Sequence, residues 1–318
     1  MNDPAAASAS TPVDRPTFGA RWWIYQCERF PVFAHGALIA AFSFCAVAFS
    51  WMLRGNQGLP PWKSLLVAFC TSFIFFLQLR IADEYKDLEE DTRYRPYRPV
   101  PRGLVTLREL RVVFATGCLV QLALALWLSP KLAVLLLIVW MYLAAMSKEF
   151  FVGEWLKRRP ITYMVSHMII MPLVDLYATS TDWIVAGLTW PPSGLAWFLA
   201  ASFFNGMVIE IGRKIRAPAD EETGVQTYSA IWGLRRAIGA WCFVLAMTGA
   251  CAIAAARQID FAGFVAAVIF CLIAMAIALG VSLLRKPQPQ RGKRIEQFSG
   301  MWTILLYLAL GAAPLIWR

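Results

Sequence analysis

R-I-A-D-E-Y-K-D-L-E-E-D, Arg80 to Asp91, follows without a break on the apolar run S-L-L-V-A-F-C-T-S-F-I-F-F-L-Q-L, Ser64 to Leu79. A segment greasy enough for lipid therefore ends in six acidic residues. If the helix of the apolar run continues, Asp83, Asp87 and Asp91 stand at successive i+4 positions and share one face. Such a ladder of carboxylates repels itself unless a cation sits on it. The stretch reads as the cation-holding mouth of a membrane helix.

The rest of the chain agrees with a membrane setting. Of 318 residues 59% are hydrophobic and only 16% charged, with 14 Trp and a positive mean hydropathy, values that indicate a membrane protein. A helical span needs about 20 largely apolar residues. Nine stretches qualify, roughly 32–53, 62–82, 109–128, 132–147, 160–178, 193–212, 236–256, 262–284 and 299–317. The expected fold is all-α, a polytopic bundle of nine transmembrane helices forming a single domain over 21–318. Residues 1–20, with A-A-A-S-A-S-T-P-V-D, are too polar and small to bury anything and read as a mobile tail. The first apolar run begins only after Pro31 and is long enough to span, so no cleavable signal is expected. The seven cysteines lie singly in or beside apolar runs without C-x-x-C spacing and read as small core residues.

A net charge of +10 raises the question of nucleic acid, but its distribution answers otherwise. Of the 30 Lys and Arg, 25 fall on the face holding the N-terminus and the even-numbered connections; Arg54, Lys63, Lys131, Arg257 and Arg318 fall on the other. Basic connections face the cytoplasm. That rule places the N-terminus and the acidic loops inside and the C-terminus outside, as expected for an integral multi-pass protein of a bacterial inner membrane, with membrane lipid rather than nucleic acid as its surroundings.

Chemistry collects in two connections on this one face. Between the second and third spans runs D-E-Y-K-D-L-E-E-D-T-R-Y-R-P-Y-R-P-V-P-R-G-L-V-T, carboxylates first and then arginines braced by Pro96, Pro99 and Pro101. Between the sixth and seventh lies E-I-G-R-K-I-R-A-P-A-D-E-E-T-G-V-Q-T-Y-S-A-I-W-G, with Glu210, then Arg213, Lys214 and Arg216, then Asp220, Glu221 and Glu222. Two acidic-plus-basic clusters four helices apart point to one site shared by two halves of a pseudo-repeat. Magnesium takes oxygen ligands and is held by one or two carboxylates together with substrate phosphates. Arginine forks bind the remaining phosphate oxygens. A mouth of this kind above an apolar interior suits a molecule with a diphosphate head and a hydrocarbon tail.

These residues resemble the UbiA superfamily of intramembrane prenyltransferases, whose first motif is N-D-x-x-D-x-x-x-D followed by R-P-x-x-x-G. Asp83 stands at the Asn position, Glu84 at the first Asp, and Asp87 and Asp91 at the other two; Arg98 to Gly103 fit R-P-x-x-x-G in order. The resemblance implies nine helices around a central cavity, with Mg and a polyprenyl diphosphate beneath the cytoplasmic loops, and transfer of the isoprenoid to an acceptor the sequence does not name. The second motif, D-x-x-x-D-x-x-x-G-x-x-T/S, fits less well. Gly224 and Thr227 anchor its end and Asp220 takes the second Asp, but Arg216 falls on the first. Glu210 is the favoured stand-in, across an insertion of about six residues; the alternative is a half that binds differently, with the number of magnesium ions then open.

The expected metal ligands are accordingly Asp83, Glu84, Asp87, Asp91, Glu210 and Asp220. Arg98, Arg102, Lys148, Arg213 and Lys214 are expected to bind substrate, and Asp87 and Asp91 to serve catalysis. Within the membrane, His167 and Asp175 lie eight apart in S-H-M-I-I-M-P-L-V-D-L-Y, with Pro172 kinking the helix between them. An ionisable group in lipid is a functional candidate by default, so both join the catalytic set, although a His–Asp packing pair would look the same. Asn205 is a candidate substrate contact or a bond between helices. Two other readings remain: a transporter or ion-coupled permease in which Asp175 and His167 relay protons, and a terpene cyclase of the same fold. A cation path has no need of the proline-braced arginine loop. A CDP-alcohol transferase is disfavoured because D-G-x-x-A-R is absent.

Overall fold

The computed structural model describes residues 16–222 and 224–317. Most of the expected polar tail lies outside these residues. Its end does not, because helix α1 (Phe18–Arg29) begins there, with the Thr17 hydroxyl accepting from the Ala20 amide. Then come α2 (Val32–Leu53), α3 (Trp62–Lys86), the short α4 (Leu88–Tyr94), α5 (Leu107–Leu128), α6 (Leu132–Ser147), the short α7 (Gly153–Lys157), α8 (Pro160–Met168) and α9 (Ile170–Trp183). The second half holds α10 (Leu195–Gly212), α11 (Tyr228–Trp232), α12 (Leu234–Arg257), α13 (Ala262–Arg285), α14 (Pro289–Tyr307) and α15 (Ala313–Trp317). Among the described residues, eight helical stretches are long and apolar enough to cross a membrane, counting α8 with α9 and α14 with α15. The ninth expected span is α6, whose 16 residues reach about 24 Å at 1.5 Å per residue, a little short of a hydrocarbon core of about 30 Å.

Local chemistry sets the ends and breaks. Thr106 and Glu109 form a capping box that starts α5 as it leaves the arginine loop. Pro172 has no amide proton and its ring crowds the carbonyl of Met168, the last residue of α8; the fifth span accordingly divides at Ile169. Pro314 likewise cannot donate to Leu310, and the backbone widens into a π turn over Leu308–Ala312. That turn lets Gly311 lie directly against the backbone of Cys45 in α2, where a Cβ would collide.

The helices close into a ring in chain order. Each of α2, α3, α5, α6, α9, α10, α12, α13 and α14 touches the next, and α14 returns to α2. α5 and α13 are the least buried spans and α10 the most, so α10 sits inside while α5 and α13 present side chains such as Val112, Leu119 and Phe270 outward. At the end of the bundle away from the acidic loops, Asp182 closes the structure. Its carboxylate accepts from Arg54 at 2.6 and 3.0 Å and from Ser50 at 2.7 Å, joining α2 to α9.

Candidate active site

The acidic stretch does not run on as one straight helix. α3 ends at Lys86, Asp87 caps it, and α4 restarts at Leu88. The reason is electrostatic. Carboxylates stacked on a helix C-terminus meet the negative end of its dipole, whereas Glu89, Glu90 and Asp91 in the first turn of α4 meet a positive end.

The break separates the ladder into free and tied carboxylates. Asp91 is buried and ion-paired on both sides: Oδ2 accepts from Arg98 at 2.5 Å, and Oδ1 lies 2.9 Å from Arg95 Nε without hydrogen-bond alignment. Glu84 is buried against Arg29, which α1 delivers across the mouth. α1 is held there also by Arg21 on Glu109 at 2.9 Å and by Glu28, which pairs with Arg102 at 2.8 Å. Burial, followed by the Glu84 carboxylate, pushes the Tyr25 phenol of α1 well up, so it stays protonated. Asp83 is half-exposed, and among the described residues its one ion pair is with Arg80, at 3.7 Å. Asp87 makes no ion pair among the described residues. The two lie within electrostatic reach of each other.

The second connection meets the first. Arg213 lies within electrostatic reach of Asp83, and Gly224, at φ +80°, stands so close to the Tyr94 ring that a Cβ would fall 2.7 Å from it. Glycine is required there twice over, by backbone conformation and by contact. Glu210 at the end of α10 is buried with both oxygens engaged, by Arg213 at 2.5 and 2.7 Å and by Lys214 at 2.8 Å. The carboxylate expected to stand in for the missing Asp therefore holds two cations instead. Lys214 also lies over the Tyr228 ring at 5.6 Å, and burial, then Glu210, pushes the Tyr228 phenol up so that it remains a donor. Asp220 is exposed on the rim, in an open hollow of about 310 Å³ that it shares with Arg213, Arg216, Glu222, Lys293 and Glu296.

A third cluster, unforeseen from the sequence except for His167, joins these two. Lys86 touches the Tyr163 hydroxyl and pairs with Glu149 at 3.4 Å. Lys148, exposed beside Glu149, has no such partner among the described residues. Glu149, Phe150 and Phe151 are three consecutive non-glycine residues at φ +50°, +53° and +61°, a costly backbone for such side chains. The strained turn brings the Glu149 carboxylate to Lys86 and the Phe150 ring edge-on to His167 at 5.8 Å.

Asp175 and Asn205 lie deeper. Asp175 accepts from Tyr307 at 2.8 Å and Asn205 from Thr303 at 3.2 Å, so both bond to α14 within the membrane. The structure thus brings Asp83, Asp87, Glu210, Arg213, Lys214 and His167 to one mouth. It leaves Arg102, Lys148 and Asp220 on the rim, and Asp175 and Asn205 below. Among the described residues no three His, Cys, Asp or Glu side chains stand together as a ready-made metal site.

Comparison with known proteins places this arrangement. The model of the UbiA prenyltransferase family matches residues 41–306. No curated protein matches the sequence. Among solved structures, a UbiA homolog from Aeropyrum pernix K1 in its apo form aligns with a TM-score of 0.63 at 15% identity, covering 88% of this chain and 97% of that one. A digeranylgeranylglyceryl phosphate synthase aligns at 0.61 and 15% identity over 93% and 99%. A UbiA homolog from Archaeoglobus fulgidus bound to GPP and Mg2+ aligns at 0.53 and 14% over 90% and 98%. At such identities these likenesses speak for the fold.

Proposed function

The chain belongs to the UbiA prenyltransferase family and is an alkyl-transferring enzyme by that membership, and from this premise we propose that it moves an isoprenoid group from a polyprenyl diphosphate to an acceptor within the membrane. One observation carries the reading. Asp83, with Asp87 beside it, lies within electrostatic reach of Arg213 where the two loops meet, and Glu210 holds Lys214 next to that arginine. The Archaeoglobus fulgidus homolog bound to GPP and Mg2+ supports the same pairing of ligands.

Magnesium fits the first half of this mouth. Two oxygen donors of like charge are what Mg2+ needs when phosphate oxygens and water complete its shell, so Asp83 and Asp87 would hold it. It does not fit the second half, where Glu210 is spent on Arg213 and Lys214. When bound, the ion would neutralise diphosphate charge and make the head a better leaving group. The residues do the rest. Arg213 carries five N–H donors and Lys214 three, so each keeps donors free for diphosphate oxygens while Glu210 holds them side by side. Asp91 holds Arg95 and Arg98 at the start of the arginine loop. The apolar walls beneath exclude water that would otherwise capture the allylic cation.

Mass spectrometry of lipid extracts from cells with and without the protein tests the reading. A prenylated lipid should appear only with the protein. Unchanged lipids with an altered cellular metal content would favour a transporter instead, and a cyclised isoprenoid would favour a cyclase.

A further inference from the structure

His167 is nine-tenths buried in α8, where its companions leave one side of the ring unanswered. Nδ1 lies 2.8 Å from the Tyr163 carbonyl oxygen, which can only accept, so Nδ1 carries the proton. Nε2 is therefore a bare lone pair, and it is buried with no partner. The ring cannot readily turn away, since it stacks on Tyr163 with centroids 4.0 Å apart and meets the edge of Phe150. A histidine kept for packing usually has its second nitrogen bonded to a neighbour or open to water, and this one has neither. The strained turn at Glu149 to Phe151 helps to hold this one in place, and strain of that kind gathers at working sites.

The charges around the ring come from every side of the mouth. Lys86 of α3, Glu149 of the turn after α6, Glu210 of α10 and Lys214 beyond it all lie within electrostatic reach of it. Two cations and two carboxylates surround the ring, with Lys86 acting on it most strongly of the four. The same two lysines flank the place where negative charge gathers as a diphosphate leaves.

We propose that His167 is the proton acceptor of the reaction, and that the acceptor substrate is a hydroxyl. The inference rests on the prenyl-transfer reading above. A lone pair in a dry wall can accept from an O–H before reaction and so orient it, whereas a ring C–H offers no such bond and meets the base only after attack, when its proton must leave. As the acceptor oxygen's electron pair forms the bond to the allylic carbon, the O–H bond breaks and its proton passes to Nε2. The carbon–oxygen bond to diphosphate breaks with its electron pair leaving on the diphosphate, and the imidazolium later returns its proton to water. Charge and atoms balance with no further reactant.

The test uses purified protein for binding and native membranes, which contain the acceptor, for transfer, with tritiated geranylgeranyl diphosphate as the probe in both. His167→Gln places a carbonyl or amide near the Nε2 position but cannot take a proton. It should bind the probe within about threefold of the wild type while label transfer into lipid falls about a hundredfold. His167→Gly should lose transfer equally and regain it with added imidazole, the rate following the basicity of the imidazole used. Near-normal transfer by His167→Gln overturns the proposal. So does loss of probe binding together with transfer, or a folded, probe-binding His167→Gly that imidazole does not restore. A wild type that neither binds nor transfers the probe sinks the prenyl-transfer reading itself, whereas failure of the histidine proposal leaves wild-type binding and transfer intact.

Discussion

Replacing Glu210 by Gln separates two roles that the sequence left open. If Glu210 were a metal ligand, its loss would weaken magnesium about tenfold or more, since even indirect partners of a metal site cost that much. The geometry instead gives both oxygens to Arg213 and Lys214 at 2.5 to 2.8 Å. A clamp of this kind acts on the ion only through space. The mouth is open to solvent at Arg213, whose side chain is 51% exposed, and solvent and salt screen that through-space effect. Glu210→Gln should therefore move the magnesium half-saturation of diphosphate binding by no more than about threefold. The structural cost is separate. Glu210 is buried but both cations are partly exposed, so they rehydrate when released and stability should fall by about 1 to 2 kcal/mol. The assay is a magnesium titration of tritiated geranyl diphosphate binding in nanodiscs, with a thermal melt on the same sample. A shift as large as that of Asp87→Asn would refute the clamp.

Asp87→Asn should raise magnesium half-saturation at least about tenfold and abolish turnover while the melt stays within a degree or two, because among the described residues Asp87 makes no ion pair to lose. Asp182→Asn, at the far end, should behave oppositely: stripping the Arg54 guanidinium of its carboxylate costs about 3 kcal/mol, read as a lowered melt, with turnover per folded molecule unchanged. Gly224→Ala meets both an unfavourable φ and the Tyr94 ring, and should weaken diphosphate binding without changing the melt by more than a few degrees. A single cysteine at Leu188, in a background free of native cysteines, should react with an impermeant thiol reagent from the outside only, as the bias of basic residues requires.

The spans were legible because hydropathy is a local property that any 20-residue window carries. The kink of the fifth span was legible for the same reason, since Pro172 acts on its own helix. The partners of the carboxylates were not. Nothing in A-D-E-Y-K-D announces that Arg29, 55 residues earlier, takes Glu84, leaving Asp83 and Asp87 as the free pair. The i+4 spacing proposed one ladder, and the helix dipole broke it at Asp87. His167 and Asp175 looked like one relay because they sit eight apart. The division at Ile169 gives them separate company, a Tyr163 carbonyl for the first and the Tyr307 hydroxyl for the second. Arg213 and Lys214, one turn beyond Glu210, could be read as either its partners or its rivals for phosphate. The three-dimensional arrangement assigns the pairing, which the order of letters could not.

The central claim is that a diphosphate and magnesium meet at Asp83, Asp87, Arg213 and Lys214, and the most direct measurement is equilibrium binding of tritiated geranyl diphosphate to the purified protein in nanodiscs, with and without Mg2+. Binding should be saturable, should require the ion, and should vanish in the Asp83→Asn/Asp87→Asn double variant while Asp175→Asn, below the mouth, keeps it. Binding that ignores magnesium, or that survives the double substitution unchanged, would contradict the account.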